Sequence, residues 1–252
     1  MINILLSGCN GKMGRVISNL LENDEVARIV CGYDINTASD TYPVYDDLSN
    51  VREKVDVIID FSNPACLDAL ISFCSDRRVP LVLATTGLST SQRESVADLS
   101  KKIPVFSSAN MSVGVNLLIS LVKKAAAVLE GNFDIEIIEK HHNQKIDAPS
   151  GTALMIADEI SASLKGSVDY IYDRHPLRKK REQSEIGIHS VRGGNIVGEH
   201  DVIFAGNDEI IEVKHTATGK EVFAVGAIKA AKYLVGKQPG MYNMEDLVNS
   251  QI

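Results

Sequence analysis

"INILLSGCNGKMGR", Ile2 to Arg15, decides the fold. A short apolar, β-rich run, Ile2 to Gly8, leads at once into Gly8, Gly11 and Gly14, and a helix-period segment runs from Lys12 to Glu22. Strand, glycine turn and helix together open a βαβ unit. Such a turn lets backbone N–H groups approach a pyrophosphate at the positive end of the helix. The spacing is G-x-x-G-x-x-G, with Asn10 where the middle glycine of the strict fingerprint would fall. By itself this also fits a glycine-rich connection with no ligand. Asp34 tips the reading toward a dinucleotide, because it ends the next strand twenty residues after Gly14, where a carboxylate accepts hydrogen bonds from the adenosine ribose of NAD. That carboxylate repels a 2′-phosphate and Ile35 adds no cation beside it, so NADH is favoured. Lys12 and Arg15 keep NADPH open.

The alternation continues through the first hundred residues. Val26–Asp34, Val55–Phe61, Val79–Gly87 and Ile103–Asn110 read as strands, with helices over Pro64–Asp76 and Ser89–Lys101. Near-continuous apolar strands imply a parallel sheet covered on both faces. "ATTG" (Ala84–Gly87) and "SSANMSVG" (Ser107–Gly114) then fall at the carboxyl ends of strands, where open α/β sheets bind ligands. After a long helix over Val113–Leu129, the strands alternate apolar and polar residues, as in a mixed or antiparallel sheet with one face less buried. The expectation is an α/β chain with a Rossmann-like dinucleotide-binding domain and a second α+β domain. The stretch Glu221–Gly240 reads as a final helix, Val225–Val235 at its centre, ended by glycine and proline and followed by a short tail.

A formal charge of −7 and a pI near 5.4 argue against a nucleic-acid partner. The basic run Arg174–Gln183 lacks interleaved aromatics and contains Pro176, so it reads as a solvated loop. Cys9, Cys31, Cys66 and Cys74 show no C-x-x-C spacing and read as reduced thiols of a cytoplasmic protein. The start of the chain lacks a basic region and cleavage site, and no apolar run approaches the ~18 residues of a membrane span. No membrane association is expected.

The second chemically dense stretch is "EKHHNQKIDAPSGTAL", Glu139 to Leu154. On a strand, Ile135, Ile137, Glu139 and His141 share one face, while Glu136, Ile138, Lys140 and His142 share the other. The adjacent histidines point apart and make poor joint metal ligands, so no metal is expected. Pro149 ends any extended run, and Ser150 is placed to cap a helix. Gly151 and Thr152 then offer free N–H groups and a hydroxyl in its first turn, with Lys145 before them, as a seat for a carboxylate. An imidazole, with a reference pKa of roughly 6.5, suits proton transfer nearby.

These residues resemble the dihydrodipicolinate reductase family over nearly the whole chain. The most specific match is "EKHHNQKIDAPSGTA", supported by "GCNGKMGR", "DFSNP" (Asp60–Pro64), "TTG", "ANMSVGVN" (Ala109–Asn116) and "VRGGNIVGEH" (Val191–His200). The resemblance implies a cytoplasmic NADH- or NADPH-dependent reductase of lysine and diaminopimelate biosynthesis, acting on a cyclic dicarboxylate. Hydride goes to C4 of the ring with loss of the 4-hydroxyl as water, and C3 is protonated. It assigns Gly8, Asn10, Gly11, Lys12, Met13, Gly14 and Asp34 to the cofactor, with Phe61, Thr85, Gly87, Ala109, Asn110 and Met111 along its path. His141 matches the proton donor and Lys145 its catalytic partner; His142, Lys145, Ser150, Gly151 and Thr152 match the residues that hold the carboxylates. NADPH-preferring members carry an arginine just after the acidic residue, where this chain has Ile35, and Lys229 stands for an arginine of the last helix. Also implied are a discontinuous cofactor domain (1–112 and 222–252), a substrate and oligomerisation domain (113–221), a homotetramer built through the second sheet, and closure of the two domains during turnover. The rival readings are a dinucleotide-binding sensor and an amino-acid dehydrogenase built on the same first domain.

Overall fold

A computed structural model describes residues 1–39 and 41–251. The elements in chain order are β1 (Ile2–Ser7), α1 (Lys12–Leu21), β2 (Ala27–Tyr33), β3 (Val44–Tyr45), β4 (Val57–Asp60), α2 (Leu67–Arg77), β5 (Leu81–Leu83), α3 (Thr90–Ser100), β6 (Pro104–Ser107), α4 (Val113–Leu129), β7 (Asp134–His141), α5 (Gly151–Ser163), β8 (Asp169–Ile171), β9 (Glu185–Arg192), β10 (Gly198–Ala205), β11 (Ile210–Ala217), α6 (Glu221–Leu234), β12 (Gly240–Tyr242) and α7 (Met244–Asn249). The chain divides into two compact units: Met1–Val113 with Glu221–Ile252, and Gly114–Lys220.

The first unit is built on a parallel sheet in the order β12-β6-β5-β4-β1-β2-β3. Consecutive residues of β1 serve opposite faces: Ile4 and Leu6 join a core with α1 and α6, while Leu5 joins one with α2 and α3. All three are fully buried, which is why the strand reads as an unbroken apolar run. Helix α6 lies close to the sheet because it buries small residues, Ala224, Ala227, Ala230 and Ala231. At Gly226 any Cβ would run into the carbonyl oxygen of Met111, so only glycine permits this approach.

Two expectations need correction here. The strand read over Val79–Gly87 is confined to Leu81–Leu83, and Gly87 turns out of it at φ +79°. The last helix ends at Leu234, just before Gly236 as read, but the tail behind it is structured: β12 pairs with β6, and Asn243 and Asp246 cap α7 reciprocally. β3 and β8 were also unforeseen, being too short to show a period.

The second unit holds a mixed sheet in the order β11-β10-β7-β9-β8. β7 runs antiparallel to β10 and parallel to β9. One face is covered by α4 and α5, whose Val115, Leu118, Val122, Ile156 and Ile160 pack on Ile135, Ile137, Ile188, Val202 and Phe204. The alternation read for β7 is observed, with Ile135, Ile137, Glu139 and His141 buried and their neighbours half-exposed. The basic run before β9 is anchored rather than free. Arg174 pairs with Glu185, Lys179 with Glu182 and Glu185, and Arg181 with Asp134 and Glu136.

Candidate functional site

Because every strand of the first sheet is parallel, the turns after β1, β2, β4, β5 and β6 emerge at one edge. Strand order reverses at β1, between β2 and β4, which is the topological switch point. Gly8 stands there at φ +75°, and a Cβ on it would lie 2.6 Å from the Phe61 carbonyl oxygen. A Cβ on Gly14 would collide with the carbonyl oxygen of Gly8. Both glycines are therefore required for the turn to pack against β4 and α1. Gly11 occupies the cap position of α1 with no side-chain cap and no acidic residue in the first turn, which leaves the helix start open to an anion.

Asn10 and Asp34 have a local task. The Asp34 carboxylate accepts from the backbone N–H of Asn10 and of Asn36, both at 3.0 Å. The Asn10 amide donates to the carbonyl oxygens of Asn36 (2.5 Å) and Ala38 (3.0 Å). Asparagine at this place in the fingerprint thus fastens the glycine turn to the segment after β2. A carboxylate has lone pairs for further donors, so ribose hydroxyls can still be accepted. Ile35 is 94 % exposed.

The remaining residues assigned to this edge behave differently from one another. Lys12 is exposed, Met13 is half-buried against the core, and Ala109 is exposed. Asn110 and Met111 are buried, the Asn110 side chain accepting from the Ser112 N–H at 2.8 Å. Met111 packs into the core. The hydroxyls of Ser7 and Thr85, at the ends of β1 and just beyond β5, are buried without a hydrogen-bond partner among the described residues. Glycines that leave room for nothing larger, an open helix start and orphaned hydroxyls at one sheet edge fit a nicotinamide dinucleotide.

The second unit gathers its polar groups at the end of β7. Glu139 is fully buried and its carboxylate is surrounded by donors. Arg192 spans both oxygens, Nη1 to Oε2 at 2.8 Å and Nη2 to Oε1 at 2.6 Å, and the Ser150 N–H donates to Oε1 at 3.1 Å. His141 Nδ1 lies 2.5 Å from Oε2. Burial pulls the Glu139 pKa upward, but hydrogen bonds from Arg192, Ser190 and His141 overcome it and hold the group at about 2. Arg192 also donates to the carbonyl oxygen of Asp147, tying in the loop that carries Lys145.

Ser150 caps α5 as expected, its hydroxyl accepting from the Ala153 N–H at 3.1 Å. The same hydroxyl lies 3.1 Å from His200 Nε2. His200 is buried, and desolvation with the nearby His141 lowers its pKa to about 4, so it is neutral at pH 7. Its ring meets His141 edge-on at 5.3 Å. Gly151 is exposed at the helix start and Thr152 half-buried. His142 lies just past the end of β7, and its carbonyl accepts the Lys145 N–H. Lys145 Nζ pairs with Asp147 at 2.8 Å, a partner the sequence reading did not assign. Hydrogen bonds and ion pairs thus link His141, Lys145 and Ser150 in one cluster, with Gly151 and Thr152 following Ser150 in the first turn of α5. Arg192, Glu139 and His200 belong to it and were missed as site residues. All three stand inside the quoted motifs, but only the strand register shows that they meet. Among the described residues no group of His, Cys, Asp or Glu is arranged to hold a metal ion.

Comparison with known proteins gives this architecture relatives. Residues 2–111 match the family model described as dihydrodipicolinate reductase, N-terminus, and residues 114–248 match its C-terminus. The chain is 55 % identical over 248 residues to the 4-hydroxy-tetrahydrodipicolinate reductase of Caldanaerobacter subterraneus subsp. tengcongensis, covering 98 % of each chain. It is 50 % identical over 251 residues to that of Clostridium tetani, covering 99 % of this chain and 98 % of the relative. A dipicolinate-bound dihydrodipicolinate reductase from Paenisporosarcina sp. TG-14 superposes with a TM-score of 0.83 at 26 % identity, over 98 % of this chain and 99 % of that one. With both halves matched and close relatives aligned from end to end, the chain belongs to the dihydrodipicolinate reductase family.

Proposed function

We propose that the chain is a 4-hydroxy-tetrahydrodipicolinate reductase of lysine and diaminopimelate biosynthesis, acting in the cytoplasm. The observation that carries this reading is the cluster at the end of β7, where an imidazole and a lysine are tied through Glu139, Arg192 and Asp147 to the start of α5. A substrate with two carboxylates needs cations and hydrogen-bond donors, and Lys145, His142, Ser150, Gly151 and Thr152 are the residues we assign to that task. Buried, ionised Glu139 supports His141 as the acid that protonates the ring carbon beside the reduced one. When bound, the nicotinamide cofactor supplies the hydride. Gly8, Asn10, Gly11, Lys12, Met13 and Gly14 would hold its pyrophosphate, Asp34 its ribose, and Phe61, Thr85, Gly87 and Ala109 to Met111 the rest.

NADH is the favoured form, because Asp34 lies beside an exposed Ile35 and no arginine follows it. Buried thiols at Cys9, Cys31 and Cys74 suit a reducing compartment. No helix among the described residues is long and apolar enough to cross a membrane. For the homotetramer, the helix-free face of the second sheet offers Ile138, Val191 and Ile203 among charged neighbours.

The test is nicotinamide absorbance with freshly generated 4-hydroxy-tetrahydrodipicolinate, using NADH and then NADPH. Oxidation that requires this substrate is expected, with the larger kcat/KM for NADH. A folded protein that binds cofactor yet oxidises neither would overturn the assignment.

A further inference from the structure

The surroundings of Glu139 decide which nitrogen of His141 handles the proton. Glu139 and His141 are two residues apart on β7 and so share one face. Apart from the imidazole, the carboxylate is met by obligate donors, two Arg192 nitrogens and the Ser150 N–H, and by the Ser190 hydroxyl, which is free to donate. An ionised carboxylate only accepts, so the imidazole nitrogen 2.5 Å away must carry a hydrogen. That nitrogen is Nδ1. Among the described residues, Nε2 has no hydrogen-bond partner. Gly198 faces it, and a Cβ there would lie 3.1 Å from Nε2, tighter than a comfortable contact.

We infer that Glu139 and Arg192 are positioning residues for His141: they hold its imidazole as the Nδ1–H form and leave Nε2 as the atom that gives up and regains the proton. The inference deepens the reductase reading and rests on it for the role of His141 as the acid. Arg192 has a second tie, from Nη2 to the Asp147 carbonyl at 2.7 Å. One guanidinium therefore fixes both the support of the acid and the loop that presents Lys145. Lysine cannot replace it, because an ammonium is a point donor and does not bridge both oxygens of a carboxylate.

Glu139→Gln separates this arrangement from simple packing. Glutamine has the same shape but one acceptor oxygen, while the site presents donors to both positions. If the oxygen stays with the Ser150 N–H, the amide nitrogen faces His141. The imidazole must then accept at Nδ1 and carry its hydrogen on Nε2. The neutral ring can no longer take a proton there.

The experiment uses the full-length protein with 15N-labelled histidine. Ring-nitrogen NMR shifts are read at alkaline pH, where the imidazole is neutral, and His141 is assigned by its loss in His141→Gln. Steady-state kinetics and cofactor affinity are measured in parallel. The wild type is expected to show Nδ1–H at His141, and Glu139→Gln to show Nε2–H. In that variant kcat should fall on the order of 10²- to 10⁴-fold, with cofactor affinity retained. Arg192→Lys should populate both tautomers and lose less. An Nε2–H tautomer in the wild type overturns the inference without any variant, as does unchanged turnover in Glu139→Gln. Should the tautomer switch as expected in a protein with no reductase activity, the positioning stands and the reductase reading falls.

Discussion

Glu139 should make the stability of this protein fall in acid. Its side chain is fully buried, which raises its pKa, but hydrogen bonds from Arg192, Ser190 and His141 outweigh this and bring it from the ordinary 4.5 to about 2. A carboxylate whose folded pKa lies below its unfolded one stabilises the fold fully above the unfolded value and loses that contribution as pH falls through the folded value. The gap corresponds to about 3 kcal/mol at neutral pH. Most of the loss falls between about pH 4.5 and pH 2, and about 2 kcal/mol of it between pH 6 and pH 3. Other carboxylates titrate in the same window, so the quantity to measure is a difference. Urea unfolding of the wild type and of Glu139→Gln, followed by circular dichroism at one protein concentration and several pH values, isolates it. The wild type should lose about 2 kcal/mol more than the variant from pH 6 to pH 3. Parallel curves for the two proteins would mean that Glu139 gains nothing from its donors, and the reasoning about its ionised state would be wrong.

Other expectations follow from single contacts. Gly226→Ala should destabilise the protein by about 3 kcal/mol in urea unfolding, because the added methyl meets the Met111 carbonyl. A gain of roughly 1 kcal/mol from helix propensity instead would show that α6 is not seated so closely. Ile35→Arg, beside Asp34, should raise the ratio of kcat/KM for NADPH over NADH by roughly 10- to 100-fold, the scale of one charge-assisted hydrogen bond to a phosphate. An unchanged ratio would remove this position from cofactor choice. Asp147→Asn releases Lys145 from an ion pair whose acidic partner is largely exposed, so KM for the dicarboxylate should fall about two- to fivefold at low salt. A rise in KM would mean that Asp147 holds the lysine in its working position.

What could be read in advance was whatever a local pattern encodes. β1, its glycine turn and α1 announce themselves because apolar residues, glycines and helix period follow one another without a gap. β7 is legible because its alternation is complete, and Ser150 because a capping residue follows a proline and precedes an apolar period. Elements held by a distant partner were not legible. β3 has two residues and exists through its pairing with the end of β2; β12 has three and exists through β6. Asn10 was seen as a departure from the glycine fingerprint, but its purpose depends on Asp34, Asn36 and Ala38, which the turn brings to it.

The site around His141 shows why register is the missing information. On β9, Arg192 stands opposite His141 and Ser190 opposite Glu139; on β10, His200 stands opposite Glu139. These partners come from β9, parallel to β7, and β10, antiparallel to it, about fifty and about sixty residues further along the chain. Side chains alternate with a period of two, so sliding β9 by one residue would turn Arg192 to the other face. Glu139 would then be left as a buried charge without its cation, which costs about 3–5 kcal/mol. The apolar contacts of Ile186 and Ile188 with α4 and α5 would fail in the same slip. The packing of the core and the ionisation of Glu139 therefore select the same register. The chemistry at the end of β7 is in that sense fixed by the isoleucines further down the same strands.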